Sequence, residues 1–465
     1  MKDCILLRYG EIALKSKSSR LSMEKSYIRI IQLALKRNEF KFKIENLGGR
    51  FIVYTDHKAI ETLKRVAGIQ SISPAIMLSF KDKNDLTKQF GDIFKNDVKN
   101  KTFALKIKRV GKHDFNSLEL ARDAAGTIYD YSKGVNLSNP DILIKLEVRN
   151  NECFVYTDSF KGVGGIPLTT SDNVLCLFSG GIDSPVAAYE MIKKGCKVDF
   201  LIVDLVGNNA LNDVAKLYNY ISNNFIFGYK PKAYIVDAKN LIKKIKEETP
   251  DSLRQIAFKI VLYKIGEEIA NKRKHLALVS GEALSQKSSQ TLKSLIAIEK
   301  QVDITMLRPL LTMDKIEITK LARNIGTLSL SEKVKEYCNL SEGKVTISPR
   351  DEDIKKIPLF DKEIKEICFN AKSIRGEIQI KENTFLMKKG SIVIDIRSRS
   401  SIRKKPLTNS IELTYNEALE TLNSKTDSYI IICDYGVRSE ELASYLRKKG
   451  LKAQGISAEE FLTKN

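Results

Sequence analysis

The sequence predicts a multidomain α/β protein organised around a doubly wound parallel sheet, and three observations carry that prediction. Its 465 residues are too many for one hydrophobic core and point to three or four domains. Between residues 171 and 375, short apolar stretches at 174–178, 198–203, 232–236 and 276–279 alternate with helical patterns such as 253–270. That alternation implies parallel strands joined by crossover helices, with a ligand at the strands' carboxyl ends. The first stretch also runs into the turn Ser179-Gly180-Gly181-Ile182-Asp183-Ser184, followed by Pro185 and a helical pattern over 186–194 that Gly195 would stop. Ser184 or Asp183 is the expected N-cap.

Composition narrows the class. With 43% hydrophobic and 29% charged residues the chain reads as a soluble globular protein. No apolar run approaches the about 18 residues of a membrane span, and Met1-Lys2-Asp3-Cys4 does not open a signal peptide. A cytoplasmic location and no membrane contact are therefore expected. The net charge of +21 favours a polyanionic partner, although a Lys-rich solvated surface has the same composition. Residues 1–170 hold 30 Lys+Arg against 19 Asp+Glu, about half the excess, so if the polyanion is RNA it is expected to bind there. Seven cysteines without a C-x-x-C pair and only three histidines argue against zinc or iron–sulfur sites, and no protein metal site is expected.

In chain order, residues 4–9 read as a strand, 23–36 as a helix, and the surroundings of 40–43 and 50–53 as strands, an αβ sandwich of ferredoxin-like type over residues 1–59. A second unit spans 60–170. Within it, residues 103–113 alternate apolar and basic side chains, as a half-buried strand presenting cations on one face would. Lys106, Lys108, Arg109 and Lys112 are the candidate phosphate contacts. A basic strand edge that only prevents aggregation reads the same way.

The turn at 179–184 is an anion-binding device: paired glycines admit close approach of a phosphate to backbone N–H groups, and the helix N-terminus adds partial positive charge. It is neither a Walker A loop nor a Rossmann fingerprint. It resembles the PP-loop, S-G-G-x-D-S, of ATP pyrophosphatases. Further motifs are more specific: Leu7-Arg8-Tyr9-Gly10-Glu11-Ile12-Ala13-Leu14-Lys15 near the start, then Ser280-Gly281-Glu282-Ala283, Ser288-Ser289-Gln290-Thr291-Leu292, Leu307-Arg308-Pro309-Leu310 and Asp314-Lys315-Ile316-Glu317-Ile318. In this order they resemble the tRNA 4-thiouridine synthases, the ThiI type of tRNA sulfurtransferase. The resemblance identifies 60–170 as similar to a THUMP domain that holds tRNA, and 171–375 as a PP-loop adenylation domain. It implies that ATP lies against Leu177, Phe178, Ser179, Gly180, Gly181, Asp183, Ser184, Ile202, Val203, Lys259, Gly281 and Gln290. Lys259 stands where the family usually has arginine, so a point charge replaces a fork. Asp183 would organise the loop or a Mg²⁺, and Lys315 would stabilise charge on the phosphates or the activated base.

Past an expected linker at 376–388, residues 389–465 open on a strand ending in Asp395-Ile396-Arg397. A second strand at 429–432 leads into Cys433-Asp434-Tyr435-Gly436-Val437-Arg438-Ser439 and a helix at 440–448. This resembles the rhodanese active-site loop, Cys-x₄-Arg-Ser, in which a helix N-terminus, Arg438 and Ser439 would stabilise a persulfide on Cys433. Gln454-Gly455-Ile456-Ser457 departs from the usual Gly-Gly ending. Glu336-Tyr337-Cys338-Asn339 resembles the family's E-Y-C segment, with Asn339 where glycine is usual.

Taken together, the resemblance implies an ATP-dependent tRNA sulfurtransferase that adenylates O4 of a tRNA uridine, position 8 by family analogy. Sulfur from a Cys433 persulfide then replaces the oxygen. Cys338 would release sulfide or resolve the linkage, leaving a Cys338–Cys433 disulfide for a reductant to open. A cysteine desulfurase is the implied sulfur donor, and a supply of sulfur for thiamin thiazole is a second implied role. A sulfur carrier serving thiazole synthesis alone is the alternative. The sequence leaves open the route of sulfur transfer, the donor's identity and whether the chain works as a homodimer.

Overall fold

The computed structural model describes residues 2–205, 208–334, 340–341, 343–380, 390–424, 427–434, 437–458 and 461–462. Cys338 and most of the expected linker therefore lie outside the described residues.

The first of three sheets contains β1 (Lys2–Tyr9), β2 (Lys43–Asn46), β3 (Phe51–Tyr54), β4 (Ile69–Ser79), β5 (Phe103–Val110), β6 (Ile142–Arg149), β7 (Glu152–Tyr156) and β8 (Phe160–Lys161). Their order is β2-β3-β1-β4-β7-β6-β5, with β8 beside β4. β4 pairs with β1 between Ile69 and Met77 and with β7 between Ile76 and Ser79. One long strand thus makes a single sheet of the two N-terminal units. The helix expected at 23–36 runs over Lys17–Arg37, because the Ser16 side chain accepts from the Ser19 N–H and caps a first turn too polar to show apolar periodicity. The strand expected around 40–43 begins only at Lys43, since Phe40 N–H still bonds back to the helix's Leu35 carbonyl.

The second sheet contains β9 (Asn173–Leu177), β10 (Lys197–Asp204), β11 (Lys232–Asp237), β12 (Ala277–Val279), β13 (Thr305–Leu307) and β14 (Lys372–Arg375), in the order β13-β12-β9-β10-β11-β14. All pairings are parallel except β11 with β14, an antiparallel edge. The sequence pattern anticipated four of these strands; β13 (Thr-Met-Leu) and β14 (Lys-Ser-Ile-Arg) are short and broken by polar residues, whereas the equally short β12 is apolar throughout. Chain order reverses between β9 and β12, which creates a topological switch point at their carboxyl ends.

The helix after β9 spans Asp183–Lys193, three residues earlier than the apolar pattern suggests. Its N-cap is Ile182, without a side-chain cap, rather than Ser184 or Asp183. Ser184 instead binds the turn itself: its Oγ donates to the Ser179 carbonyl at 2.7 Å and accepts from the Ser179 N–H at 3.1 Å. Gly195, at φ +79°, ends the helix as expected. This unit packs directly on the N-terminal one. A contiguous apolar cluster runs from Ile5, Tyr27 and Phe51 to Phe200 and Tyr218. Arg37 reaches across to the Ser222 and Asn223 carbonyls, at 3.3 and 3.1 Å, near the end of the helix Asn208–Phe225.

The third sheet contains β15 (Ile392–Asp395), β16 (Ser410–Glu412), β17 (Ser428–Cys433) and β18 (Lys452–Ser457), all parallel in the order β16-β15-β17-β18. The helix Val437–Lys448 follows β17.

Glu147 on β6 locks the joint sheet. Arg50 Nε and Arg149 Nη2 lie 3.2 and 2.9 Å from its Oε1, and Arg149 Nη1 donates to the Leu47 carbonyl in the β2–β3 hairpin at 3.0 Å. Burial alone would raise this carboxyl's pKa, but Arg50, Arg149 and Arg8 outweigh it and hold the value below the ordinary carboxylate range. Its stabilising contribution is therefore complete above the unfolded value of about 4.3 and is lost as pH falls through the depressed folded value. Glu147→Ala leaves the partly buried cations Arg50 and Arg149 without their carboxylate and should cost about 1–3 kcal/mol. Urea denaturation at neutral pH checks this; a midpoint within error of wild type would contradict the role given to Glu147.

Candidate functional site

A cleft of about 220 Å³ opens at the switch point. β9 and its turn contribute Leu177, Phe178, Ser179, Gly180, Gly181, Asp183 and Ser184, and β10 contributes Ile202 and Val203. Lys259 comes from the helix Arg254–Arg273, Gly281 from the turn after β12, and Gln290 from the 3₁₀ turn Ser288–Gln290. All twelve residues that the sequence assigned to a nucleotide thus line one cavity.

Close backbone approach, and not positive φ, explains the glycines. A Cβ on Gly281 would sit 2.8 Å from the Asp183 carbonyl carbon and the Ser184 nitrogen, so a side chain there would push the turn out of place. A Cβ on Gly180 would meet Val334 Cγ1 at 1.9 Å. The two turns therefore fit because Gly281 is bare, while Gly180 is bare against Val334.

Charge around the turn is paired. Lys315, at the start of a helix whose N-terminus is closed by an Asp314/Glu317 capping box, places Nζ 2.5 Å from Asp183 Oδ1. Lys259 Nζ lies 3.2 Å from Oε1 of Glu282, which is 2% exposed. Glu282 Oε2 also accepts from Tyr263 OH, from Ser280 Oγ at 2.9 Å and from Arg308 Nε at 3.2 Å. Burial pushes the Glu282 carboxyl upward, but Lys259, Tyr263, Arg308 and Ser280 together hold it below its ordinary value. Glu282, Tyr263 and Arg308 are site-supporting residues that sequence reasoning missed. Two of them sat inside quoted motifs, yet nothing in a single sequence indicates that they meet.

The cavity suits a nucleotide: bare turns leave room for phosphates, apolar side chains line the base-sized part, and Gln290 Oε1 is buried without a hydrogen-bond partner among the described residues. Among the described residues no group of three or more His, Cys, Asp or Glu could hold an ion.

The second site lies at the end of β17. Cys433 is buried, its Sγ accepts from the Ser439 N–H at 3.4 Å, and Ser439 Oγ is 3.3 Å away while donating to the Ile456 carbonyl at 2.8 Å. Arg438 is exposed. Arg397 grips Asp395 through Nε and Nη2, at 2.9 and 2.7 Å, which fixes the neighbouring strand end. Burial pushes other thiols upward, Cys4 and Cys368 to about 12.

The basic strand divides its cations. Lys106 and Lys108 are exposed on the edge strand β5, and Lys112 is exposed just beyond it. Arg109 is out of step by one residue and points to the opposite face, where Nη1 lies 3.1 Å from His113 Nδ1 and the guanidinium lies 5.9 Å from the Phe115 ring centroid. It therefore does not join the face that Lys106 and Lys108 share.

The ThiI ferredoxin-like domain model matches residues 4–73, the THUMP domain model 80–158, and the thiamine biosynthesis protein ThiI model 169–361. The tRNA sulfurtransferase of Desulfurococcus amylolyticus is 33% identical over 461 residues, covering 96% of this chain and 95% of its own. The chain belongs to the tRNA sulfurtransferase family. The member from Aeromonas salmonicida is 31% identical and covers 96% of this chain and 98% of its own. Among solved structures, a 4-thiouridine synthetase in complex with RNA and with bound ATP is similar at a TM-score of 0.71 and 26% identity, over 81% of this chain and 100% of that one. Among the described residues, no helix is long and apolar enough to cross a membrane.

Proposed function

We propose that this chain is an ATP-dependent tRNA sulfurtransferase that converts a tRNA uridine, position 8 by family analogy, to 4-thiouridine in the cytoplasm. The observation that carries the reading is the cleft at the switch point, where all twelve expected nucleotide residues converge. Family membership over 96% of the chain supports the same activity.

ATP binds with its phosphates over Ser179–Ser184, cradled by N–H groups and the N-terminus of the helix Asp183–Lys193. Mg²⁺ would arrive on those phosphates, with Asp183 as its protein ligand, and would neutralise charge there. The uridine O4 attacks the α-phosphorus and pyrophosphate leaves, which makes O4 part of an AMP leaving group. Lys315 and Lys259 offset the charge that builds on the phosphates. Tying Lys315 to Asp183 keeps it at the turn before the nucleotide arrives.

Residues 389–465 act as a rhodanese-like domain. A cysteine desulfurase transfers sulfane sulfur to Cys433, and the Ser439 N–H and the helix N-terminus stabilise the persulfide anion. Cys338 thiolate then attacks the Cys433 sulfur: hydrosulfide leaves, attacks C4 and expels AMP, while the two thiols end as a disulfide. In the second route the terminal persulfide sulfur attacks C4 and expels AMP, and Cys338 thiolate then attacks Cys433 Sγ, so that the thiouridine sulfur leaves and the two thiols end as the same disulfide. Both routes balance at two electrons, and a dithiol reductant restores the enzyme. The same persulfide serves thiazole synthesis as a second output.

Cys433→Ala should abolish both persulfide loading and thiolation, whereas Cys338→Ala should still load sulfur and fail to turn over. Mass spectrometry after turnover without reductant should find the Cys338–Cys433 peptide. A cross-link from Cys433 to Cys368, or normal turnover by Cys338→Ala, would remove Cys338 from the mechanism. Should Asp183→Ala leave every sulfur-dependent phenotype intact while Cys433→Ala does not, the chain is a sulfur carrier alone.

tRNA is held by phosphate contacts from Lys106, Lys108 and Lys112 on one side of the joint sheet. Replacing each should weaken tRNA binding and flatten the salt dependence by about 0.7–0.9 in log–log slope per contact. Arg109→Ala should leave that slope unchanged, because its guanidinium is engaged on the other face. A slope unaltered by the three lysine changes would move the RNA site elsewhere.

A further inference from the structure

We propose that Glu282 is a positioning residue for the adenylation step, holding Lys259 where the nucleotide phosphates must lie. The proposal rests on the function given above and adds to it Glu282, which lines the same cleft and acts there through Lys259.

The two oxygens of Glu282 are used differently. Oε2 is saturated by Tyr263, Ser280 and Arg308, donors from the helix Arg254–Arg273, the turn after β12 and the end of β13. Oε1 receives no hydrogen bond from any described residue, although it is buried, and faces Lys259 Nζ at 3.2 Å. A buried carboxylate oxygen left without a donor is costly unless a charge answers it, and the Lys259 ammonium is that charge. The pair is thus an ion pair without hydrogen-bond geometry. It fixes where the ammonium sits while leaving its N–H groups to a ligand in the cleft that Lys259 lines.

Arg308 stabilises the arrangement from behind. Its Nη1 binds Glu299 at 2.7 Å and its Nη2 lies 3.3 Å from Tyr263 OH, so the guanidinium is committed to the network and cannot take the place of Lys259. Tyr263 stands one helical turn after Lys259, on the same face of the same helix. Three fixed donors therefore orient Glu282, and Glu282 orients one mobile cation. A lysine needs this help because its flexible stem, unlike a planar guanidinium fork, has no preferred geometry of its own.

The test is a double-mutant cycle on ATP, read as KM for pyrophosphate release and as turnover at saturating ATP, with unmodified tRNA present. Glu282→Gln should raise the ATP KM at least tenfold, and Lys259→Met should raise it by a similar factor. The pair Glu282→Gln with Lys259→Met should be no worse than Lys259→Met alone, because the carboxylate acts through the ammonium. Thermal unfolding of each variant separates this from loss of fold. If Glu282→Gln does not fold, Glu282→Asp takes its place in the cycle, since it keeps the charge and withdraws it by one methylene.

Multiplicative effects in the double variant would overturn the proposal and leave Glu282 a structural residue, as would an ATP KM unchanged in Glu282→Gln. Wild-type protein that releases no pyrophosphate from ATP would instead overturn the functional reading itself. The two failures are therefore distinguishable.

Discussion

The fit of two backbone turns, 179–184 after β9 and 280–282 after β12, is the constraint on which the rest of this structure depends. They meet because β9 and β12 are adjacent parallel strands between which the order of connection reverses, and they fit because Gly281 carries no side chain against the Asp183–Ser184 peptide. Ser184 closes the first turn on Ser179, and the residues of that turn line the cleft. The helix Asp183–Lys193 then adds its N-terminus to the same point. An anion site of this kind is made from backbone, so side chains remain available for orientation and charge.

Two buried carboxylates do that second kind of work in different places. Glu282 gathers Tyr263, Ser280, Arg308 and Lys259 at the cleft, and Glu147 gathers Arg50 and Arg149 where the first two units share a sheet. In both, burial opposes ionisation and the neighbouring cations outweigh it. The consequences differ. Glu147 makes a rigid body of the unit that would hold RNA, while Glu282 arranges a cation at the site where the nucleotide would react. The apolar cluster shared by the N-terminal and central units fixes the one relative to the other.

Much of this was legible in the sequence, for reasons that residues explain. The strand–turn–helix at 174–194 and the buried strands β10 and β11 announce themselves through continuous apolar runs bounded by turn residues. Short β13 and edge β14 do not, and the polar first turn of the helix Lys17–Arg37 was hidden because capping leaves no apolar period. At the site, the resemblance to a family supplied residues that line the cleft. It was silent on Glu282, whose importance appears only when Lys259, Tyr263 and Arg308 are brought together by the fold. Arg109 shows what alternation alone leaves out: Lys108 and Arg109 are adjacent, and neighbours on a strand face opposite ways.

The central claim is that the turn at 179–184 activates a tRNA uridine with ATP. The most direct measurement follows pyrophosphate and labelled sulfur in one reaction of the full chain with ATP, unmodified tRNA, a cysteine desulfurase and labelled cysteine, comparing wild type with Asp183→Ala. The account predicts ATP-dependent label in tRNA with pyrophosphate released for each sulfur incorporated, both lost in Asp183→Ala while tRNA affinity stays within a few-fold. Label entering tRNA without ATP, or at an equal rate in Asp183→Ala, would contradict it.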